Sequence, residues 1–172
     1  MKKFLLILSI LFPLSIFAEG DDCSHYGKDS GGGHYSKATE ITPENVKLLK
    51  NIWTHRSGDY KGGANSAGRK GDDYQTSFQV TPLLVDETLF YCTSFNRVFA
   101  LNSETGEEIW MFDPKLKKEG RAILACRGLS SWKDLKKSPD EKCFHHIIGV
   151  TIDAELFSID AKDGKLCKDF GN

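Results

Sequence analysis

Two stretches of the chain align without a gap at an offset of fifty-eight residues. Leu89-Phe90-Tyr91-Cys92-Thr93, Val98-Phe99-Ala100-Leu101-Asn102 and Gly106 match Ile147-Ile148-Gly149-Val150-Thr151, Leu156-Phe157-Ser158-Ile159-Asp160 and Gly164. Each copy reads as an apolar strand, a turn, a second apolar strand and an Asn/Asp-x-x-x-Gly turn. A repeated antiparallel unit of roughly 40–50 residues is the mark of a β-propeller blade. The fold class expected is therefore all-β, with little helix. At 172 residues the chain is expected to hold about two blades and not to close a ring by itself.

The first residues follow another logic. Lys2 and Lys3 precede an apolar run from Phe4 to Phe17 that ends at Ala18-Glu19. A charged start, a short apolar stretch and a small residue at the cut describe a secretory signal peptide. The run is too short, and too soon followed by acids, for a membrane-spanning helix. The expected division is a leader over 1–18 and a propeller part over 19–172, placing the protein in the periplasm or outside the cell. Loss of the leader removes two lysines and no acid, taking the net charge from −1 to −3. A mildly acidic chain has no electrostatic reason to seek nucleic acid. Lys115, Lys117, Lys118, Lys133, Lys136 and Lys137 are expected to form a solvated loop surface.

All five cysteines (Cys23, Cys92, Cys126, Cys143 and Cys167) lie beyond the leader. Export makes disulfides plausible, and an odd count leaves one thiol over or paired outside the chain. No C-x-x-C pair signals a zinc ribbon or a redox dithiol.

Residues 19–36 read as a polar, glycine-rich segment, extended or looped. Thr42-Pro43-Glu44-Asn45 opens a short helix to about Leu49, with Thr42 as cap and Asn45 in the place of the capping-box acid. Ile52–Arg56 is a strand candidate, followed by a glycine-rich loop over 60–73. Phe78–Val85 is a strand broken near Pro82. Leu89–Cys92 and Arg97–Leu101 form a hairpin, closed by Ile109–Phe112. Residues 113–143 read as mostly irregular, and a second hairpin follows at Ile147–Val150 and Glu155–Ile159.

Three motifs stand out, two as chemical candidates and the last as a structural element that builds blades. Gly63 to Lys70 resembles a phosphate loop only superficially, because Arg69 stands where the lysine belongs and no Ser/Thr follows. His145-His146 is a metal candidate, yet neighbours on a strand point to opposite faces. One ring is expected to be packed and the other wet. Ala100-Leu101-Asn102-Ser103-Glu104-Thr105-Gly106-Glu107-Glu108-Ile109-Trp110 is more specific. Asn102 and Gly106 suit a tight turn, and Trp110 offers a large flat surface between sheets.

That last element resembles the tryptophan-docking motif of the quinoprotein dehydrogenases that use pyrroloquinoline quinone, most closely the membrane-bound glucose dehydrogenase type. Tyr26-Gly27, Gly32-Gly33-His34-Tyr35-Ser36, Ile41–Val46, Trp53–Asp59, Phe78–Leu83, Phe95–Leu101, Cys126-Arg127-Gly128, Cys143 and Leu166–Gly171 are similar to that family's segments in order. The resemblance implies an eight-bladed propeller with the quinone and a calcium ion on its axis. This chain is expected to supply about the first two blades.

The resemblance implies cofactor contacts for two residues. Arg127 matches an arginine near the quinone's acidic groups, where a guanidinium fork suits carboxylate and quinone oxygens. Gln79 stands where the family usually has a glutamate and keeps hydrogen bonding without the charge. No catalytic residue and no metal ligand is expected here, since the family's aspartate base and calcium ligands come from later blades. The family also carries cysteines at the points of Cys126 and Cys143, which bracket the charged loop. A disulfide between them is expected to contribute roughly 3 kcal/mol. Lys168 occupies the position in the second repeat that Trp110 has in the first.

The function implied is that of the N-terminal part of an exported dehydrogenase oxidising a sugar or alcohol, inactive alone. Its partners would be the remainder of the propeller and a quinone or cytochrome acceptor. A non-enzymatic propeller-repeat scaffold of the cell envelope and a degenerate remnant are the alternatives.

Overall fold

The computed structural model describes residues 23–59, 75–117 and 123–171. The expected leader and the glycine-rich 63–70 motif lie outside them. Among the described residues nine strands run in chain order: β1 Gln75–Thr81, β2 Leu83–Val85, β3 Thr88–Cys92, β4 Val98–Asn102, β5 Glu108–Phe112, β6 Ile123–Gly128, β7 Ser130–Lys133, β8 His145–Val150 and β9 Leu156–Asp160. β2-β3-β4-β5 form a four-stranded antiparallel blade and β7-β8-β9 a three-stranded one. An isolated bridge from Ile159 to Leu166 begins a fourth strand in the second blade. Pro82, which has no N–H to give, separates β1 from β2. The architecture is a partial β-propeller.

The repeat read in the sequence recurs in the hydrogen bonds. The Thr93 amide donates to the Arg97 carbonyl, and Thr151 to Glu155, each at 2.9 Å. Asn96 and Ala154, fifty-eight positions apart, hold the same left-handed position in the two hairpins, at φ 56° and 63°. At the next turn the Gly106 amide donates to Asn102 and the Gly164 amide to Asp160, both at 2.9 Å.

One apolar core serves both blades. Leu83, Val85, Phe90, Val98, Ala100 and Trp110 of the first pack with Ile147, Phe157 and Ile159 of the second. Trp110 crosses between them. Its Nε1–H donates to the Ala161 carbonyl at 2.9 Å, and its ring lies on Gly164. A Cβ at Gly164 would stand 2.7 Å from the ring, and φ of 70° already disfavours any other residue.

Trp53 repeats this contact one blade earlier. Its Nε1–H donates to the Ser103 carbonyl at 3.2 Å, and a Cβ at Gly106 would sit 2.5 Å from its ring. The stretch Ile52–Arg56, expected as a strand, does not form one. No strand among the described residues pairs with it. It is held instead by a buried ion pair: Arg97 engages Asp59 and donates to the Ser57 carbonyl at 2.6 Å, while the Thr93 hydroxyl donates to Asp59.

Several other expectations are corrected. The helix from Thr42 reduces to a 3₁₀ turn at Val46–Leu48. Its capping box half survives, as the Thr42 amide donates to Asn45 Oδ1 at 2.7 Å. Residues 113–143 contain β6, which pairs with distant β1, and β7, which pairs with the next strand, β8. The Cys126–Cys143 disulfide does not form: Cys126 bonds Cys92, and Cys143 bonds Cys167. Pairing of β6 with β1 carries Cys126 to the end of β3, with Cys92 at a Cα distance of 5.9 Å. The return of the chain along β9 brings Cys167 to Cys143, helped by the Cys167 amide donating to Ser158 at 2.9 Å. In the chain-entropy model each closure contributes about 3–4 kcal/mol.

A non-reducing peptide map should recover linked peptides for 92–126 and 143–167; a 126–143 peptide would contradict this connectivity. Gly164→Ala should cost about 1–3 kcal/mol more in urea unfolding than Gly58→Ala. Both positions have positive φ, but an added Cβ at Gly58 meets nothing within 4 Å, so the difference isolates the clash with Trp110. Equal costs would mean that the tryptophan contact is slack.

Candidate functional site

β1 and β6 form a parallel two-stranded sheet beside the first blade. Along β6 the side chains alternate: Leu124 and Cys126 are buried, while Ile123 and Arg127 are exposed. Phe78 pairs with Cys126 and Thr81 with Gly128, so two β1 residues, Gln79 and Val80, stand against the single residue Arg127. Such a bulge re-aims side chains. Val80 packs toward the blade cores, and Gln79 is left exposed beside Arg127.

The two residues singled out in the sequence, forty-eight positions apart, thus become neighbours on one exposed wall. Among the described residues no hydrogen bond or ion pair engages the Arg127 guanidinium or the Gln79 amide. Together they offer a fork of cationic donors with an amide donor and acceptor. That donor set fits the carboxylates and carbonyls of an acidic quinone. It does not fit a calcium ion. Among the described residues no group of three or more His, Cys, Asp or Glu is placed to hold a metal.

A cavity of about 640 Å³ lies elsewhere, between residues 53–59 and the first blade. Trp53, His55, Phe78, Tyr91 and Leu101 line it; Gln79 and Arg127 do not. The Tyr91 hydroxyl meets His55 Nδ1 at 2.6 Å, and His55 Nε2 faces Glu108 at 3.6 Å. Burial, then the Glu108 charge, pushes the Tyr91 phenol up to about 12, so it stays protonated and can donate to the ring. The sequence reading missed this cluster. Its one trace is Trp53-x-His55, the spacing that puts two side chains on one face of an extended segment.

His145 and His146 are both packed, correcting the expectation of one wet ring. His145 Nε2 meets Ser131 Oγ at 2.8 Å, and its Nδ1 faces Asp86 at 3.8 Å. His146 Nδ1 meets Ser158 Oγ at 2.7 Å under Trp132. Lys133 also reaches Asp86, at 2.8 Å, so this cluster ties the second blade to the β2–β3 turn of the first. Lys137 likewise pairs with Asp169 at 3.1 Å, and the lysines of this region are not simply a solvated surface.

Residues 23–172 match the family model "PQQ: Glucose/ethanol/alcohol dehydrogenase, beta-propeller domain". The chain belongs to this family. It is 36% identical over 156 residues to the quinoprotein glucose dehydrogenase of Escherichia coli K12, covering 88% of this chain and 19% of the relative. It is 34% identical over 162 residues to quinoprotein glucose dehydrogenase A of Acinetobacter calcoaceticus, covering 87% of this chain and 19% of the relative. The crystal structure of quinohemoprotein alcohol dehydrogenase from Comamonas testosteroni superposes with a TM-score of 0.63 at 24% identity, over 85% of this chain and 18% of that one, which establishes likeness of fold. The chain therefore spans about a fifth of the length of these relatives. Among the described residues no helix is long and apolar enough to cross a membrane.

The interblade cluster makes a pH prediction. Burial, then the Lys133 ammonium, lowers the His145 pKa, against a smaller pull upward from Asp86 and Asp160. Unfolding restores the ordinary value, so the unfolded chain binds the proton more tightly. The stability involved is complete above the unfolded value of 6.5 and is lost as pH falls below it. Urea midpoints should drop between about pH 7.5 and about pH 5.5, and drop less in His145→Gln. Parallel profiles for the two proteins would contradict this.

Proposed function

We propose that this chain supplies one wall of a pyrroloquinoline quinone site in an exported dehydrogenase acting on a sugar or alcohol. The observation that carries the proposal is the placing of Gln79 beside Arg127 on the exposed side of the β1–β6 pair. Arg127 would hold an acidic group of the cofactor through its paired donors, and Gln79 would hydrogen-bond a neighbouring oxygen. When bound, the cofactor supplies the two-electron acceptor for substrate oxidation. The chain's own residues bind and orient; none described here moves a substrate proton. Turnover would need a metal site and a base from further blades, with a membrane quinone or a cytochrome taking the electrons onward. The chain by itself is accordingly an inactive part of that enzyme, located in the periplasm or secreted, and the expected leader over 1–18 is consistent with that location.

The test is equilibrium dialysis of the chain with pyrroloquinoline quinone. An isolated wall should bind weakly, with Kd on the order of 1 mM. Arg127→Gln should raise Kd about tenfold or more, the loss of a charge-assisted pair. Added glucose with quinone and calcium should give no turnover. Equal binding by wild type and Arg127→Gln, or no saturable binding by the wild type, would count against the proposal.

A further inference from the structure

We propose that the Cys92–Cys126 disulfide is the positioning element of this wall, fixing β6 at the register that sets Arg127 beside Gln79. The inference rests on the cofactor-facing reading of those two residues. Cys126 immediately precedes Arg127, and strand alternation sends its sulfur inward and the guanidinium outward. The bond therefore fixes the Cα next to the one that carries the guanidinium.

The sheet that presents Arg127 is poorly equipped to hold register unaided. It has two strands, paired in parallel, with an irregularity between Phe78 and Thr81 at the position of interest. A two-stranded pair with one exposed side is marginal and prone to slip, and a one-residue slip turns every side chain to the other face. Such a slip would bury Arg127 and expose Cys126.

The other end of the disulfide is rigid. Cys92 is 1% exposed and closes β3, an interior strand of the four-stranded blade, where it pairs with Val98. The bond thus transfers the register of a well-built sheet to a weakly built one. Cys143–Cys167 has a different task. It holds the return after β9 against the start of β8, where Lys137 also caps the Cys143 carbonyl at 3.3 Å. It touches neither β1 nor β6 and serves as an internal control.

The experiment compares the wild-type chain, Arg127→Gln, the double variant Cys92→Ser/Cys126→Ser and the double variant Cys143→Ser/Cys167→Ser. Each is assayed by equilibrium dialysis with pyrroloquinoline quinone and by amide hydrogen exchange without it. Loss of the positioning bond should weaken quinone binding about tenfold or more, as misplacement at a binding site does. It should speed exchange within 75–81 and 123–128 while β4 and β9 keep their protection. Loss of the second bond should change binding by less than about twofold.

If Cys92→Ser/Cys126→Ser binds like wild type while Arg127→Gln has lost binding, the positioning role is wrong and the wall stands. If Arg127→Gln binds like wild type, the cofactor-facing reading fails, and exchange alone decides whether the bond sets the register. Exchange that rises throughout the chain, or equally in both double variants, would make Cys92–Cys126 a general staple and overturn the inference.

Discussion

A tryptophan ring lying on a glycine backbone is the contact on which this structure depends. An isolated blade has two broad faces and cannot bury both alone, so its stability comes from stacking against neighbours. Here the stacking is made by Trp110 on Gly164, with the indole N–H fixed to the Ala161 carbonyl. Trp53 makes the same contact on Gly106, with its N–H on Ser103. The indole contributes area, the hydrogen bond fixes its angle, and the glycine permits an approach that no Cβ would allow. Two equivalent contacts set the spacing of successive units. The buried Asp59–Arg97 pair then anchors the segment that carries Trp53.

That spacing decides where functional side chains can appear. Each blade is entered by a strand that approaches before the antiparallel meander begins: β1 leads into β2, and β6 into β7. Once the blades are stacked, the two approach strands lie side by side and pair in parallel. Their inner faces seal the shared core through Val80 and Cys126, while Leu124 packs in a separate cluster with Phe95 and Leu116. Their outer faces are left to Gln79 and Arg127. The wall is thus a product of blade docking as well as of the residues that decorate it.

Much of the scaffold was legible in the sequence because it is local. The fifty-eight-residue offset reappears bond for bond in both hairpins, and Pro82 breaks its strand where the missing N–H requires. The obscured features depend on partners distant along the chain. Trp53 sits in a segment with no strand pairing among the described residues, and its role is defined by Gly106, fifty-three positions away. β6 follows a charged stretch, and its parallel pairing with distant β1 leaves little local trace. The cysteines misled for the same reason. Cys126 and Cys143 bracket a loop, yet strand pairing sends them to different partners. Family resemblance singled out Arg127 and Gln79 one at a time; their adjacency required a register and a bulge that no spacing rule supplies.

The central claim is that the β1–β6 wall faces the quinone. A crystal structure of the chain grown with pyrroloquinoline quinone tests it most directly. The account predicts the cofactor on the exposed side of that sheet, with an acidic oxygen within hydrogen-bonding reach of the Arg127 guanidinium and Gln79 at its margin. Quinone seated in the cavity among Trp53, His55 and Tyr91, with Arg127 turned to solvent, would contradict it.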